Sequence, residues 1–170
     1  MTNPKDIVIV SAKRTPIGSF QGSLKDHKAT ELGTAVVKKC MEHSNLNGSE
    51  VDTVILGQVL QTGCGQNPAR QAAINSGIDK DKTATTINQV CGSGLAAVTL
   101  GFNSLKLNDT NIVIAGGQES MTNSPHYLNY RMEKNLSEEK LKDSMLIDGL
   151  IAVSYTHLRA HETREDRGWR

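Results

Sequence analysis

Four short runs that read as β-strands recur along the chain, and the first three are each followed, after turn residues, by a stretch of helical periodicity. The runs are Ile7 to Val10, "DTVILGQVL" (Asp52 to Leu60), "TATTIN" (Thr83 to Asn88) and "NIVIAGG" (Asn111 to Gly117). Short apolar strands suit a sheet buried on both faces, and alternation with helices suits parallel connections. The pattern therefore predicts an α/β layered domain with a largely parallel sheet. No internal repeat and no low-complexity segment competes with this reading.

Local signals place the helices. Thr15-Pro16-Ile17-Gly18 closes the first run with turn residues. From Thr30, which reads as an N-cap, "ELGTAVVKKCMEH" sets Leu32, Ala35, Val36 and Cys40 along one face, turns Lys38 and Lys39 outward and leaves His43 near the C-terminal end. Cys40 so placed is a core residue. After the second run, Gly63, Gly65 and Pro68 mark a loop. Asn67 then caps a short helix, Pro68 takes its first position and Gly77 closes it. The next helix opens after Cys91 with Leu95, Val98, Phe102 and Leu105 at spacings of three, four and three, which predicts one buried stripe. "MEKNLSEEKLKD" (Met132 to Asp143) is charged and poor in apolar residues, as a solvated loop or surface helix is.

Composition narrows the function classes. Among 170 residues, 19 lysines and arginines nearly balance 18 aspartates and glutamates, so no overall field recruits nucleic acid or an anionic membrane. An anionic ligand has to be held locally. No apolar run approaches the roughly 20 residues that span a bilayer. Ile7 to Val10 is too short and wrongly flanked for a secretion signal, so a cytoplasmic protein is expected. Cys40, Cys64 and Cys91 are irregularly spaced, which makes neither a disulfide framework nor a metal cluster and fits a reducing compartment.

After Ile151 the character changes. "AVSYTHLRAHETREDRGWR" has no apolar periodicity and holds the only tryptophan, Trp169. His157 and His161 stand at i, i+4, a spacing that pairs metal ligands on a helix, but no third ligand accompanies them. Val153 to Thr163 resembles read-through of a sequencing-library adapter. Residues 1–151 are thus expected to form an incomplete domain, and residues 152–170 a non-native or disordered tail without function.

The stretch that carries chemistry is "NQVCGSGLAAV", Asn88 to Val98. Gly92-Ser93-Gly94-Leu95-Ala96-Ala97 fits G-x-G-x-x-A, the pattern that lets a pyrophosphate approach a helix N-terminus. That reading wants an apolar strand entering the first glycine and an acid ending the next strand; the approach here is polar, and Glu119 follows only after Gly116 and Gly117. A nucleophilic reading accounts for more of the residues. At the first turn of a helix, orphan N–H groups and the helix dipole favour thiolate, Gly92 and Gly94 keep bulk away, and Ala96 and Ala97 permit close packing on a sheet. Such a thiolate suits thioesters and activated carbonyls. A structural cysteine capping a core helix is the plain alternative.

Five motifs in order and register identify a resemblance: "RTPIGSF", "GQVLQTGCGQNPARQAA", "INQVCGSGLAAV", "IVIAGGQESMTNSPHYL" and "DSMLIDGL". Over about Ile7 to Ile151 the chain resembles the thiolase family, most closely its cytosolic acetoacetyl-CoA branch. The resemblance implies a thiolase N-terminal half: an α/β fold with a mixed, mainly parallel sheet and helices on both faces. It implies acetyl-CoA C-acetyltransferase activity, with Cys91 taking the acyl group as a thioester that a second, deprotonated acetyl-CoA attacks in a Claisen condensation. Thiolysis is the reverse. Coenzyme A thioesters are then substrates, no bound cofactor or metal is implied, and the full-length protein is expected to be a homo-oligomer, a dimer or tetramer.

The same resemblance assigns Cys64 no catalytic part and puts Gln66 and Arg70 near a dimer contact, though a plain helix-start role is an equal reading. His126 has acid/base chemistry but reads as loop support. Glu119 has the chemistry of a base, and the resemblance argues against it. The family's base-supplying histidine, its Asn-Glu-Ala-Phe segment and its second catalytic cysteine belong beyond Ile151. The chain as given is therefore expected to be inactive alone. Two other classes stay open: a non-catalytic fragment that associates with a partner subunit, and a dinucleotide-binding module.

Overall fold

A computed structural model describes residues 6–131 and 140–152. The expectations for Val153 to Thr163, for His157 and His161 and for most of Met132 to Asp143 lie outside the described residues. The chain divides into two compact units, Met1–Asn123 and Ser124–Arg170.

The first unit carries helix α1 (Ala29–Ser44), strand β1 (Thr53–Gly57), helix α2 (Pro68–Asn75), strand β2 (Thr83–Ile87), helix α3 (Ser93–Lys106) and strand β3 (Val113–Gly117). The strands form one sheet in the order β2-β1-β3, parallel throughout, with Thr53 opposite both Thr83 and Val113. Central β1 is buried along its whole length, as its continuous apolar character requires. Its alternate side chains face two layers. Val54 and Leu56, with Ile114 and Ala84, join Val37 and Met41 of α1 and Ala69, Ala72 and Ala73 of α2 in the core. On the opposite face lies α3, where a Cβ built on Gly101 would stand 3.0 Å from Val113 Cγ1. Helices therefore cover both faces, and the strands after the first fall where the periodicity puts them.

The helix caps follow the sequence in one case and not in the other. Asn67 Oδ1 accepts from Arg70 N at 3.2 Å, Pro68 opens α2, and Gly77 follows its end in the left-handed region at φ 98°. In α1 the cap is Lys28 rather than Thr30, and Glu31 reaches back to accept from Lys28 N at 3.1 Å. The buried face of α1 is Ala29, Gly33, Val37 and Met41, one position away from the expected stripe. Cys40, Leu32 and Val36 flank it half-buried, and Ala35 is exposed. Gly33 decides the register: a Cβ there would run into Oε1 of Gln118, so this turn of α1 approaches the end of β3 more closely than a larger residue allows.

Two further expectations fail. Ile7 to Val10 forms no strand, and Ile9 is 82% exposed. A β-branched run becomes a strand only when a neighbour takes its backbone groups, and none of the described strands does so. The stripe of α3 is also inverted. Its buried face consists of Ser93, Ala97 and Gly101, whereas Leu95, Val98 and Phe102 point outward and Leu105 is half-buried. Helix and sheet approach so closely that only small residues fit between them.

In the second unit, strand β4 (His126–Tyr127) pairs antiparallel with strand β5 (Lys142–Asp143). Buried Ser144 donates to Pro125 O at 2.5 Å and meets Ser124 Oγ at 2.7 Å. A π-helical turn, Met145–Leu150, follows. The antiparallel pairing expected of a mixed sheet occurs here, outside the three-stranded sheet.

Candidate active site at the opening of α3

The end of β2 runs into α3 through five residues, Asn88 to Gly92, and Cys91 is exposed in this turn, two positions before the first helical residue. The turn rests on glycines. Gly57 and Gly117 are opposite each other at the ends of β1 and β3. A Cβ on Gly57 would fall 2.5 Å from Ser93 Cβ and 2.8 Å from Gly94 N, and one on Gly117 would fall 3.5 Å from Gly94 Cα. Two bare strand ends thus let the first turn of α3 sit directly on the sheet.

Buried Ser93 ties the turn together. Its Oγ accepts from Gln89 N at 2.8 Å and donates to Val90 O at 2.6 Å, while its own N–H donates to Val90 O at 3.0 Å. Between them Val90 adopts φ 50°. A β-branched residue in the left-handed region is strained and persists only where surrounding contacts enforce it. One of those contacts is Asn88 Oδ1, which accepts from Val90 N at 2.9 Å.

Beneath the turn lies a polar network that sequence reasoning did not pick out. Gln58 and Gln118, each the residue after a strand-ending glycine, are 1% and 6% exposed. Gln58 Nε2 donates to Leu60 O at 2.8 Å, so its Oε1 is the acceptor for Gln118 Nε2, also at 2.8 Å. Gln118 Oε1 is buried without a hydrogen-bond partner and is aimed at Gly33. The repeated Gly-Gln at the ends of two parallel strands was the available signal.

Glu119 lies beside this network and makes a structural connection: its Oε2 accepts from Val59 N at 2.8 Å and its Oε1 from Leu60 N at 3.2 Å. Burial pushes its carboxyl above the ordinary range, against these two donors. Cys64 is held in the same loop, with Gln58 Nε2 at 3.3 Å from its sulfur, in keeping with a packing role. Arg70 donates to the carbonyls of Lys80 and Lys82 and so fixes α2 to the turn before β2. Gln66 is exposed, and its carbonyl accepts from Gln71 Nε2 at 2.9 Å. His126 is exposed in the second unit, 3.9 Å from Asp143 Oδ2. Among the described residues no group of three or more histidine, cysteine or acidic side chains is arranged to hold a metal ion. No described helix is long and apolar enough to cross a membrane.

A family model described as "Thiolase, N-terminal domain" matches residues 7–165. The acetyl-CoA acetyltransferase of Rhizobium meliloti (strain 1021) is 47% identical over 155 residues, which cover 91% of this chain and 39% of the relative. The probable acetyl-CoA acetyltransferase of Escherichia coli (strain K12) is 51% identical over 147 residues, 86% of this chain and 37% of the relative. The acetyl-CoA acetyltransferase of Pseudomonas aeruginosa is 49% identical over 147 residues, with the same coverage. The chain thus spans under two fifths of the length of these relatives. With its match to the N-terminal domain running nearly end to end, the chain belongs to the thiolase family.

Proposed function

We propose that the protein this chain represents is an acetyl-CoA C-acetyltransferase, which joins two acetyl-CoA molecules into acetoacetyl-CoA and cleaves the product in reverse, with Cys91 as the acyl acceptor. The observation that carries the reading is the exposed Cys91 thiol in a tightly braced turn at the start of α3, within the residues that match the thiolase model. The thiolate attacks the thioester carbonyl, the carbon–sulfur bond to coenzyme A breaks, and coenzyme A leaves as a thiol on taking up a proton. The acetyl group is then held on Cys91 as an enzyme thioester. Carbon–carbon bond formation needs two further things: a base that takes a methyl proton from the second acetyl-CoA, and donors that stabilise the resulting enolate. The resemblance puts these beyond Ile151, so the 170-residue chain stops at the acyl-enzyme.

Acetyl-CoA and coenzyme A are accordingly the partners of the site, and the full-length protein is a cytoplasmic homo-oligomer in this reading, with residues 152–170 a non-native or disordered tail. A second reading, a non-catalytic unit that associates with a partner subunit, draws on the outward apolar face of α3. The purified chain separates the two. Incubation with acetyl-CoA followed by peptide mapping should find an acetyl adduct on the Cys91 peptide that is absent from Cys91→Ser. Acetoacetyl-CoA cleavage with added coenzyme A should stay at the Cys91→Ser level. An adduct that forms equally on Cys40 or Cys64 would remove the assignment, and Cys91-dependent turnover would show that the missing half is not needed.

A further inference from the structure

The turn before Cys91 contains a conformation that the sequence would not choose unaided. Among the described residues five non-glycine residues have positive φ; three are asparagines, one is Gln21, and Val90 is the only β-branched one. Asparagine visits this region readily, whereas valine does so under constraint. The constraint on the carbonyl side of Val90 is the start of α3 itself, through Ser93. On the amide side it is one side chain, Asn88, whose Oδ1 takes the Val90 N–H.

Asn88 has a second contact. Its Nδ2 donates to Val59 O at 3.3 Å, and the N–H groups of Val59 and Leu60 are held by Glu119. Two main-chain bonds fix the base of the same loop: Gln58 N donates to Ile87 O at 3.0 Å and Gln118 N to Gly57 O at 2.9 Å. The side chain therefore links a strained turn at one end to a loop anchored on both neighbouring strands at the other. Each end of its amide is used in the only sense that its chemistry allows, oxygen towards N–H and nitrogen towards carbonyl.

We infer that Asn88 is a positioning residue for Cys91: it clamps Val90 in the left-handed conformation against the Val59 loop and so fixes where the next residue presents its thiol. The inference rests on the proposed role of Cys91 only for its catalytic consequence, since the clamp itself is a statement about geometry. It differs from a general stabilising contact in one testable respect. Glycine adopts φ 50° without strain, so a glycine at position 90 should make the clamp unnecessary.

The experiment is competitive labelling of the 170-residue chain with limiting iodoacetamide, reading Cys91 against Cys40 of α1 by peptide mapping. Asn88→Ala should lower the Cys91 to Cys40 ratio about tenfold, the scale on which release of such a strained residue redistributes its conformations. Val90→Gly should keep the ratio within about twofold of the parent, and Asn88→Ala added to Val90→Gly should change it little further. A ratio unchanged in Asn88→Ala overturns the inference, and so does an equal fall in both backgrounds, which would mark plain unfolding or a side-chain effect. Should Asn88→Ala not fold, as a raised labelling rate of Cys40 would reveal, recovery of the parent Cys40 rate and Cys91 ratio on adding Val90→Gly supports the clamp, and failure to recover overturns it. The acetyl-CoA adduct, measured on the same samples, keeps the two proposals apart. Ratios that behave as expected without any adduct on the parent leave the clamp standing and remove the acyl-transfer reading.

Discussion

At the scale of single residues, much of the fold is held by side chains that satisfy backbone groups just outside the regular elements. Asp52, at the entrance to β1, shows how. Its Oδ2 accepts from Asn111 N at 2.7 Å and Ile112 N at 3.1 Å, which brings the segment before β3 alongside β1, and Lys82 Nζ stands 3.9 Å from Oδ1. The N–H of Asn111, then that of Ile112, with a smaller part from Lys82, hold its carboxyl below the ordinary aspartate range. A carboxyl whose folded pKa is depressed adds stability above its unfolded pKa and loses it as pH falls through the folded pKa. The window therefore lies on the acid side of about pH 4, the unperturbed aspartate value. In Asp52→Asn one oxygen still accepts both N–H groups, but without charge assistance, so a loss of about 1 kcal/mol at pH 7 is expected. Urea midpoints at pH 7 and pH 3 check this: the gap between parent and variant should narrow at the lower pH, and a gap of equal size at both would mean that the charge plays no part.

At the scale of elements, contact distance decides which residues face inward, and this is where the sequence was least informative. Periodicity reveals that α3 has a large apolar stripe and a small-residue stripe, but not which of them meets the sheet. Gly57 at the end of β1 seats Ser93, and Gly101 lies against Val113 and Ala115 of β3, so the buried face of α3 is Ser93, Ala97 and Gly101 and the large stripe turns outward. The same closeness shifted the register of α1 around Gly33. By contrast, β1 to β3 and the ends of α2 were legible, because continuous β-branched runs and an Asn-Pro start report local preferences that the packing respects. The position of Cys91 at the mouth of a helix was legible too; the Gln58–Gln118 pair left only the repeated Gly-Gln as a trace, which gains meaning once the register sets Gly57 opposite Gly117. Two neighbouring glycine substitutions should show the packing effect with opposite signs. In Gly57→Ala the new methyl meets Ser93 Cβ and main-chain atoms of α3, so the helix start has to move, at about 1–3 kcal/mol of stability. Gly94 lies in the first turn of α3 with nothing within 4 Å of an added Cβ, so Gly94→Ala should gain up to about 1 kcal/mol. Thermal melting of both variants tests the pair, and a stabilised Gly57→Ala would contradict the close seating of α3 on the sheet.

At the scale of the molecule, the first unit presents an unusual amount of large apolar side chain to solvent. Val8, Ile9, Val10, Ile17 and Phe20 are exposed near its start, and Leu95, Val98, Leu100, Phe102 and Leu107 along and just after α3. Single exposed hydrophobic residues are ordinary, but this many in one small unit favour association and poor solubility. If these side chains contribute little to the folded chain, charge should replace them at almost no cost. Leu95 and Leu107 offer the cleanest test, being 75% and 71% exposed at opposite ends of the same helix. A glutamate at position 95 sits in the first turn and a lysine at 107 at the C-cap, so each charge also suits the helix dipole by about 0.3–1 kcal/mol. The double substitution Leu95→Glu and Leu107→Lys should therefore raise the soluble fraction on expression and reduce binding of an apolar dye, with the melting temperature equal to the parent's or slightly higher. Exposed substitutions of this kind shift stability by no more than about 0.5 kcal/mol where nothing is packed on them. A melting temperature lowered by several degrees would show that these leucines are already covered in the chain as it exists, and that its apolar surface is smaller than the fold implies.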